Sequence, residues 1–242
     1  MSKEYKAAMI VIGNEILSGR TQDKNINYVA NALVEKGVRL VEVRIIPDLE
    51  EVIIKTIREL KESVDYIFTS GGIGPSHDDI TAESIAKTFD VEIGVNQEAY
   101  DILLEHYGED DFTKSRQKMA LIPVGATLIP NPVSAAPGFI LNEVYVMAGV
   151  PRILQAMVDY SVETLKGGSV LEARNVPSHL PESILAEGLG ILQEKYQSID
   201  IGSYPYFRDG RLGVNVVLRG TETELLNAAE QDVKGLIDSL ID

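Results

Sequence analysis

The sequence predicts an α/β protein: a three-layer α/β/α domain on a mostly parallel sheet, then a small α+β domain. Three observations carry this. Apolar runs alternate with helix-period segments from Lys6 to Ser70. A glycine-rich turn follows the third apolar run. A break at Lys166-Gly-Gly-Ser169 precedes a piece with its own strand and helix pattern, dividing the chain into 1–166 and 167–242.

Lys6–Ile12 reads as a buried strand, and Asp23–Lys36 as a helix with Ile26, Val29, Ala30 and Leu33 on one face. Gly37 stands where a helix C-terminus favours glycine. Val38–Ile46 is the second strand, and Leu49–Ser63 the second helix. Tyr66–Ser70 is the third strand. Right-handed crossovers between such strands place helices on both faces. Ligands in these sheets bind beyond the strands' carboxyl ends. The loops Gly13–Gln22, Pro47-Asp48 and Gly71–Asp79 are expected to converge there.

A helix is expected around Asp79–Phe89, with further helices at Gln97–Tyr107 and Lys114–Ala120. Short strands follow at Thr127–Ile129, Phe139–Leu141 and Val144–Met147, and Pro151 suits a first helical position. In the tail, strands are expected at Leu171–Val176, Ile199–Pro205 and Gly213–Arg219, with a helix at Ser183–Tyr196. The last helix, Thr221–Leu240, shows a stripe of Leu225, Ala229, Val233, Leu236 and Leu240.

The 242 residues carry a net charge of −15, which argues against nonspecific binding of nucleic acid or an anionic membrane. With no tryptophan, a base-stacking platform is not expected either. Cysteine is absent, so disulfides, thiolate zinc sites and cysteine nucleophiles are excluded. No apolar run has membrane length and the N-terminus lacks a cleavage pattern, so a soluble cytoplasmic protein is expected.

The stretch Tyr66-Ile-Phe-Thr-Ser-Gly-Gly-Ile-Gly-Pro-Ser-His-Asp-Asp-Ile-Thr81 is the most informative. Gly71, Gly72 and Gly74 let a ligand approach the backbone, and the following helix start would point free N–H groups at it. That arrangement suits a phosphate, with Ser76 beside it. Asp78 and Asp79 would repel the phosphate unless a metal ion lies between them. Hard oxygen ligands suit Mg²⁺ or Mn²⁺. The turn matches neither G-x-x-x-x-G-K-[ST] nor G-x-G-x-x-G.

Other residues have paired readings. Asp79 either ligates a metal or caps its helix. His77 is a metal ligand, a proton donor or a plain loop residue, while His106 and His179 read as surface residues. Glu15 is a general base or second-metal ligand, or starts a helical turn. Asp23 caps the helix it precedes, with Asn25 facing the same loop. Asp48 acts in the site or caps the Leu49 helix. Lys114, Arg116 and Lys118 are candidate cations for a phosphate, Lys114 foremost, or else a solvated surface. Pro137-Gly138 and Gly149-Val-Pro151 are turns bordering the pocket.

Several blocks together resemble a known family. They are Gly13-Asn-Glu-Ile-Leu-Ser-Gly19, Thr69-Ser-Gly-Gly-Ile-Gly-Pro-Ser-His-Asp-Asp-Ile-Thr81, Gln117-Lys-Met-Ala-Leu-Ile-Pro123, Asn131-Pro-Val-Ser-Ala-Ala-Pro-Gly-Phe139 and Met147-Ala-Gly-Val-Pro151. The family is the molybdopterin-binding domain of molybdenum cofactor biosynthesis, over about residues 5–165. The branch is that of competence/damage-inducible protein A and the N-terminus of eukaryotic FAD synthase. Ile201-Gly-Ser-Tyr-Pro-Tyr-Phe207 resembles the small domain that follows in that branch. Ending at Asp242, the chain is expected to carry neither the amidohydrolase nor the synthetase domain of those longer proteins.

The resemblance implies molybdopterin as a ligand, or metal-assisted hydrolysis of the pyrophosphate bond in ADP-ribose or FAD with Mg²⁺, Mn²⁺ or Co²⁺. It implies catalytic roles for Asp79 and Asp48, and a dimer or trimer. One departure is Ser134-Ala-Ala-Pro-Gly138, where many relatives have glycine first.

Overall fold

The computed structural model describes residues 3–208 and 211–241. The chain divides into two compact units, Met1–Gly168 and Ser169–Asp242.

Unit one is built on a sheet whose strands are β1 (Tyr5–Ile12), β2 (Val38–Ile46), β3 (Tyr66–Ser70), β6 (Thr127–Ile129), β7 (Gly138–Leu141) and β8 (Val144–Met147), in the order β2-β1-β3-β8-β7-β6. The first four in that order run parallel, and β7 and β6 continue antiparallel to the edge. A separate antiparallel pair joins β4 (Ile93–Val95) to β5 (Leu121–Pro123). The helices are α1 (Asn14–Leu17), α2 (Asn25–Glu35), α3 (Glu50–Lys61), α4 (Thr81–Thr88), α5 (Gln97–Tyr107), α6 (Lys114–Gln117) and α7 (Pro151–Glu163).

Both faces of the central strands are covered, which is why β1 from Ala7 onward and β3 through Phe68 read as unbroken apolar runs. Neighbouring residues on a strand point to opposite faces. Ile10 and Ile67 join one core with Ile53 of α3, Ile85 of α4 and Leu103 of α5. Met9 and Phe68 join the other with Val29 and Leu33 of α2 and Leu154 and Val158 of α7. Three layers result.

Tyr28 of α2 donates to Asp159 of α7 at 2.6 Å. That hydrogen bond, more than burial, pushes the phenol up from 10.0 to about 12. The folded chain therefore holds this proton more tightly than the unfolded chain does. Its stabilisation is complete below pH 10 and is lost as pH rises toward 12. In alkaline urea titrations the decline over that window should be shallower in Tyr28→Phe than in the wild type.

Unit two has the sheet order β10-β11-β9, all antiparallel, from β9 (Glu172–Ser178), β10 (Asp200–Arg208) and β11 (Arg211–Gly220). Helices α8 (Glu182–Lys195) and α9 (Thr223–Ser239) share an apolar core with that sheet. Gly188 sits inside α8 because a Cβ there would lie 2.4 Å from the Leu236 side chain.

Four expectations need correction. The helix expected from Asp79 starts at Thr81, because Asp79 closes a turn with Ser76 instead. The helix expected over Lys114–Ala120 is one α-turn, α6, running into a 3₁₀ turn at Lys118–Ala120. Strands β4 and β5 were not expected, since three residues are too few to show an alternation. The buried stripe of α9 is Leu226, Ala229, Val233 and Ile237, with Leu225 and Leu240 on the exposed side and Leu236 half-buried. Both stripes have helical spacing, and packing against the unit-two core decides between them. Leu226→Ala should destabilise unit two by about 2–5 kcal/mol, while Leu225→Ala should cost well under half of that in the same urea titration.

Candidate active site

The parallel strands end at a set of cross-tied loops. The Gly13 N–H donates to the Ile46 carbonyl at 3.1 Å, and the Asn14 N–H to Asp48 Oδ2 at 2.9 Å. Asp48 thus takes up the first N–H of α1 and pins the first loop to the second. It does not cap α3, which has no side-chain cap. Glu15 is exposed and folds back over Gly13, where a Cβ would stand 2.6 Å from Glu15 Oε1. Asp23 Oδ1 accepts from the Asn25 and Ile26 N–H groups and so caps α2 as expected.

Asn25 is buried among these loops. Its amide donates to Ser70 Oγ and to the Gly149 carbonyl, both at 2.9 Å. It ties the end of β3 to the turn after β8. Its Oδ1 and the Thr69 hydroxyl are buried without a hydrogen-bond partner among the described residues.

The glycine turn is held from both sides. The Gly71 N–H donates to the Met147 carbonyl at 3.0 Å, and Gly71 takes φ 110°. Gly72 takes φ 70°, and its carbonyl accepts the Thr81 N–H at 3.0 Å. The Thr81 hydroxyl donates to the Gly71 carbonyl at 3.1 Å, locking the turn to the start of α4. The missing side chain of Gly74 makes room for Asp79, whose Oδ2 would be 2.7 Å from a Cβ there. That oxygen also accepts the Ser76 N–H at 2.8 Å.

A narrow cleft opens beside this turn. Gly72, Gly74, Asp79 and Glu83 line it, with Lys118, Met119 and Pro137 among the others. Of the residues expected to form the site, it gathers Gly72, Gly74, Asp79 and Pro137. Gly13, Asn14, Glu15 and Asp48 form a neighbouring cluster and are not among its lining residues. Gly71 and Asn25 lie buried behind it, and Gly138 is buried in β7. Asp78 and His77 stand out in solvent at the tip of the turn, 4.0 Å apart, so Asp78 does not pair with Asp79 across the cleft. Lys114 is exposed and away from the cleft, and Arg116 lies over the Tyr107 ring.

The cation that the structure brings to the cleft is Lys118. It donates to the Asp79 carbonyl at 2.7 Å and to the Ser76 carbonyl at 3.1 Å. Lys114, the cation expected foremost, is not among the cleft's lining residues. Glu83 and Met119 were also missed. Glu83 is an acid in a helix first turn, a pattern too common to single out.

Ser134-Ala-Ala-Pro-Gly138 forms a tight turn in which Ala135 takes φ 63° and the Ala136 N–H donates to the Ser134 carbonyl at 2.7 Å. Buried Asn131 holds it through the Ser134 hydroxyl, the Ala136 carbonyl and two backbone N–H groups. Pro137 then reaches the cleft.

A family model described as "Probable molybdopterin binding domain" matches residues 8–167, and the chain belongs to that family. A second, "FAD synthase, middle domain", matches residues 171–241. The chain is 31% identical over 205 residues to a CinA-like protein of Thermosipho melanesiensis, covering 82% of this chain and 51% of that one. It therefore spans about half the length of that relative. It is 30% identical over 247 residues to a protein of Caldivirga maquilingensis, covering 98% and 94% of the two. The solved structure of the CinA protein of Thermoplasma acidophilum, described as of unknown function, superposes with TM-score 0.61 at 33% identity, over 65% of this chain and 96% of that one. The branch is thus the CinA-related one. Among the described residues, no helix is long and apolar enough to cross a membrane.

Proposed function

We propose that unit one is a metal-dependent hydrolase of nucleotide pyrophosphate bonds, acting on a substrate of the ADP-ribose or FAD type. The observation that carries this is the Asp79 carboxylate, held over Gly74 by the Ser76 N–H on the wall of a glycine-lined cleft. Gly72 and Gly74 admit phosphate oxygens close to the main chain. Lys118, held against the Ser76–Asp79 turn, supplies positive charge to the cleft.

Among the described residues, no three His, Cys, Asp or Glu side chains gather into a metal-binding group. Mg²⁺ is commonly held by one or two carboxylates together with substrate phosphates and water. Asp79, aided by Glu83, fits that donor set, with the diphosphate completing it. A divalent ion there would neutralise the bridging phosphates and acidify a bound water. The protein's own part is to fix the carboxylate, present backbone to the phosphates and keep the diphosphate against the turn.

The second reading is binding of molybdopterin or a nucleotide without turnover. What favours it is that Glu15 and Asp48, the expected base and second acid, face the first loop and leave the cleft to Asp79 and Glu83. Self-association into a dimer or trimer belongs to the same proposal, with light scattering as its check.

Incubation with ADP-ribose, FAD and NAD, each with Mg²⁺, Mn²⁺ or Co²⁺, separates the readings. AMP should be released with at least one pairing, and excess EDTA should abolish it. A nucleotide that binds and is recovered intact with every metal would establish the second reading.

A further inference from the structure

We infer that Lys118 is the positioning residue of the glycine turn and the cation that meets the ligand's phosphates. An ammonium group has three N–H donors. Two go to main-chain carbonyls at the ends of one tight turn, Ser76 and Asp79. That turn is closed from within by the Ser76 N–H on Asp79 Oδ2 at 2.8 Å and the Asp79 N–H on the Ser76 carbonyl at 3.4 Å. Lys118 enters from a 3₁₀ turn thirty-nine residues further along the chain and clips the turn shut. Where Asp79 puts its carboxylate therefore depends on Lys118.

The third donor remains for a ligand. Lys118 lines the cleft, which holds the carboxylates of Asp79 and Glu83 and, among the described residues, no other cationic side chain. A diphosphate entering beside Gly72 and Gly74 meets this ammonium first. Binding it would not release the turn, because the two carbonyl contacts and the phosphate contact use different protons. Hydrogen bonds from charged donors are stronger than neutral ones, so one side chain can serve both purposes.

The ligand in this inference rests on the pyrophosphatase reading, whereas the clip does not. The experiment uses the full chain with Lys118→Met, which keeps length and loses charge and donors, and Lys118→Arg, which keeps charge. Backbone hydrogen exchange over residues 74–80 is measured without ligand. Calorimetry then compares ADP-ribose with uncharged adenosine. Exchange in Lys118→Met, which loses both charge-assisted hydrogen bonds, should quicken by about tenfold or more, with Lys118→Arg in between. ADP-ribose should bind Lys118→Met about tenfold more weakly while adenosine is unaffected. Unchanged exchange in Lys118→Met overturns the positioning role. Equal weakening of adenosine and ADP-ribose overturns the phosphate contact. If the wild type binds neither compound, the pyrophosphatase reading falls, and the exchange rates alone decide the clip.

Discussion

Asp79→Asn should lower turnover by about 10²-fold or more, roughly 3 kcal/mol of transition-state stabilisation, while the melting temperature hardly moves. The geometry separates the two effects. Asp79 holds its turn by accepting one N–H, from Ser76, and the amide oxygen of asparagine can accept it equally well. The side chain keeps its size, so its seat over Gly74 is undisturbed. What is lost is the negative charge that would hold a divalent ion against the diphosphate. Nucleotide affinity without metal should hold or improve, since one repulsion beside the phosphates is gone. Turnover and melting temperature measured on one preparation test this. Wild-type turnover at saturating metal would remove Asp79 from the chemistry and leave it a turn-closing residue.

Gly71→Ala should be among the most damaging single-methyl changes in unit one, at about 3–5 kcal/mol in urea unfolding. Gly71 takes φ 110°, which L side chains rarely adopt. A Cβ there would lie 2.3 Å from the Ile12 carbonyl oxygen, a main-chain atom at the end of β1. Relief would require parting β1 from the turn, and with it the anchor of the Gly71 N–H on Met147. Gly19→Ala is the internal control. Gly19 takes φ 72° but has open space around it, so only the backbone term applies, about 1–2 kcal/mol. Equal losses at the two positions would show that φ alone, and not the contact with β1, makes Gly71 necessary.

Much of this was legible in the sequence because it depends on local pattern. The parallel core was readable because strands covered on both faces are mostly apolar, as Ala7–Ile12 and Tyr66–Phe68 are. Helices α2 and α3 showed their apolar stripes at the right spacing, and the break near Gly167 and Gly168 marked where one core stops. The glycines before Asp79 announced a place where backbone must bend beyond what other residues allow, and Gly71 and Gly72 do so. The family followed from the same blocks.

Tertiary structure decided which charged groups meet. Lys114 and Lys118 are both candidate cations in the sequence, and only the fold shows that Lys118 reaches the Ser76–Asp79 turn while Lys114 stays exposed. Asp48 and Glu15 lie near strand ends in sequence, yet the Asn14 N–H and the bare backbone of Gly13 take them up before they can reach the cleft. Asp78 and Asp79 are adjacent in sequence and diverge in space because Asp79 turns back to Ser76. The stripe of α9 was ambiguous by one residue because two sets share its spacing, and burial against β11 chose Leu226 over Leu225. Periodicity is a property of the chain and can be read from it. The meeting of side chains forty residues apart depends on the path of the backbone between them, which sequence spacing does not encode.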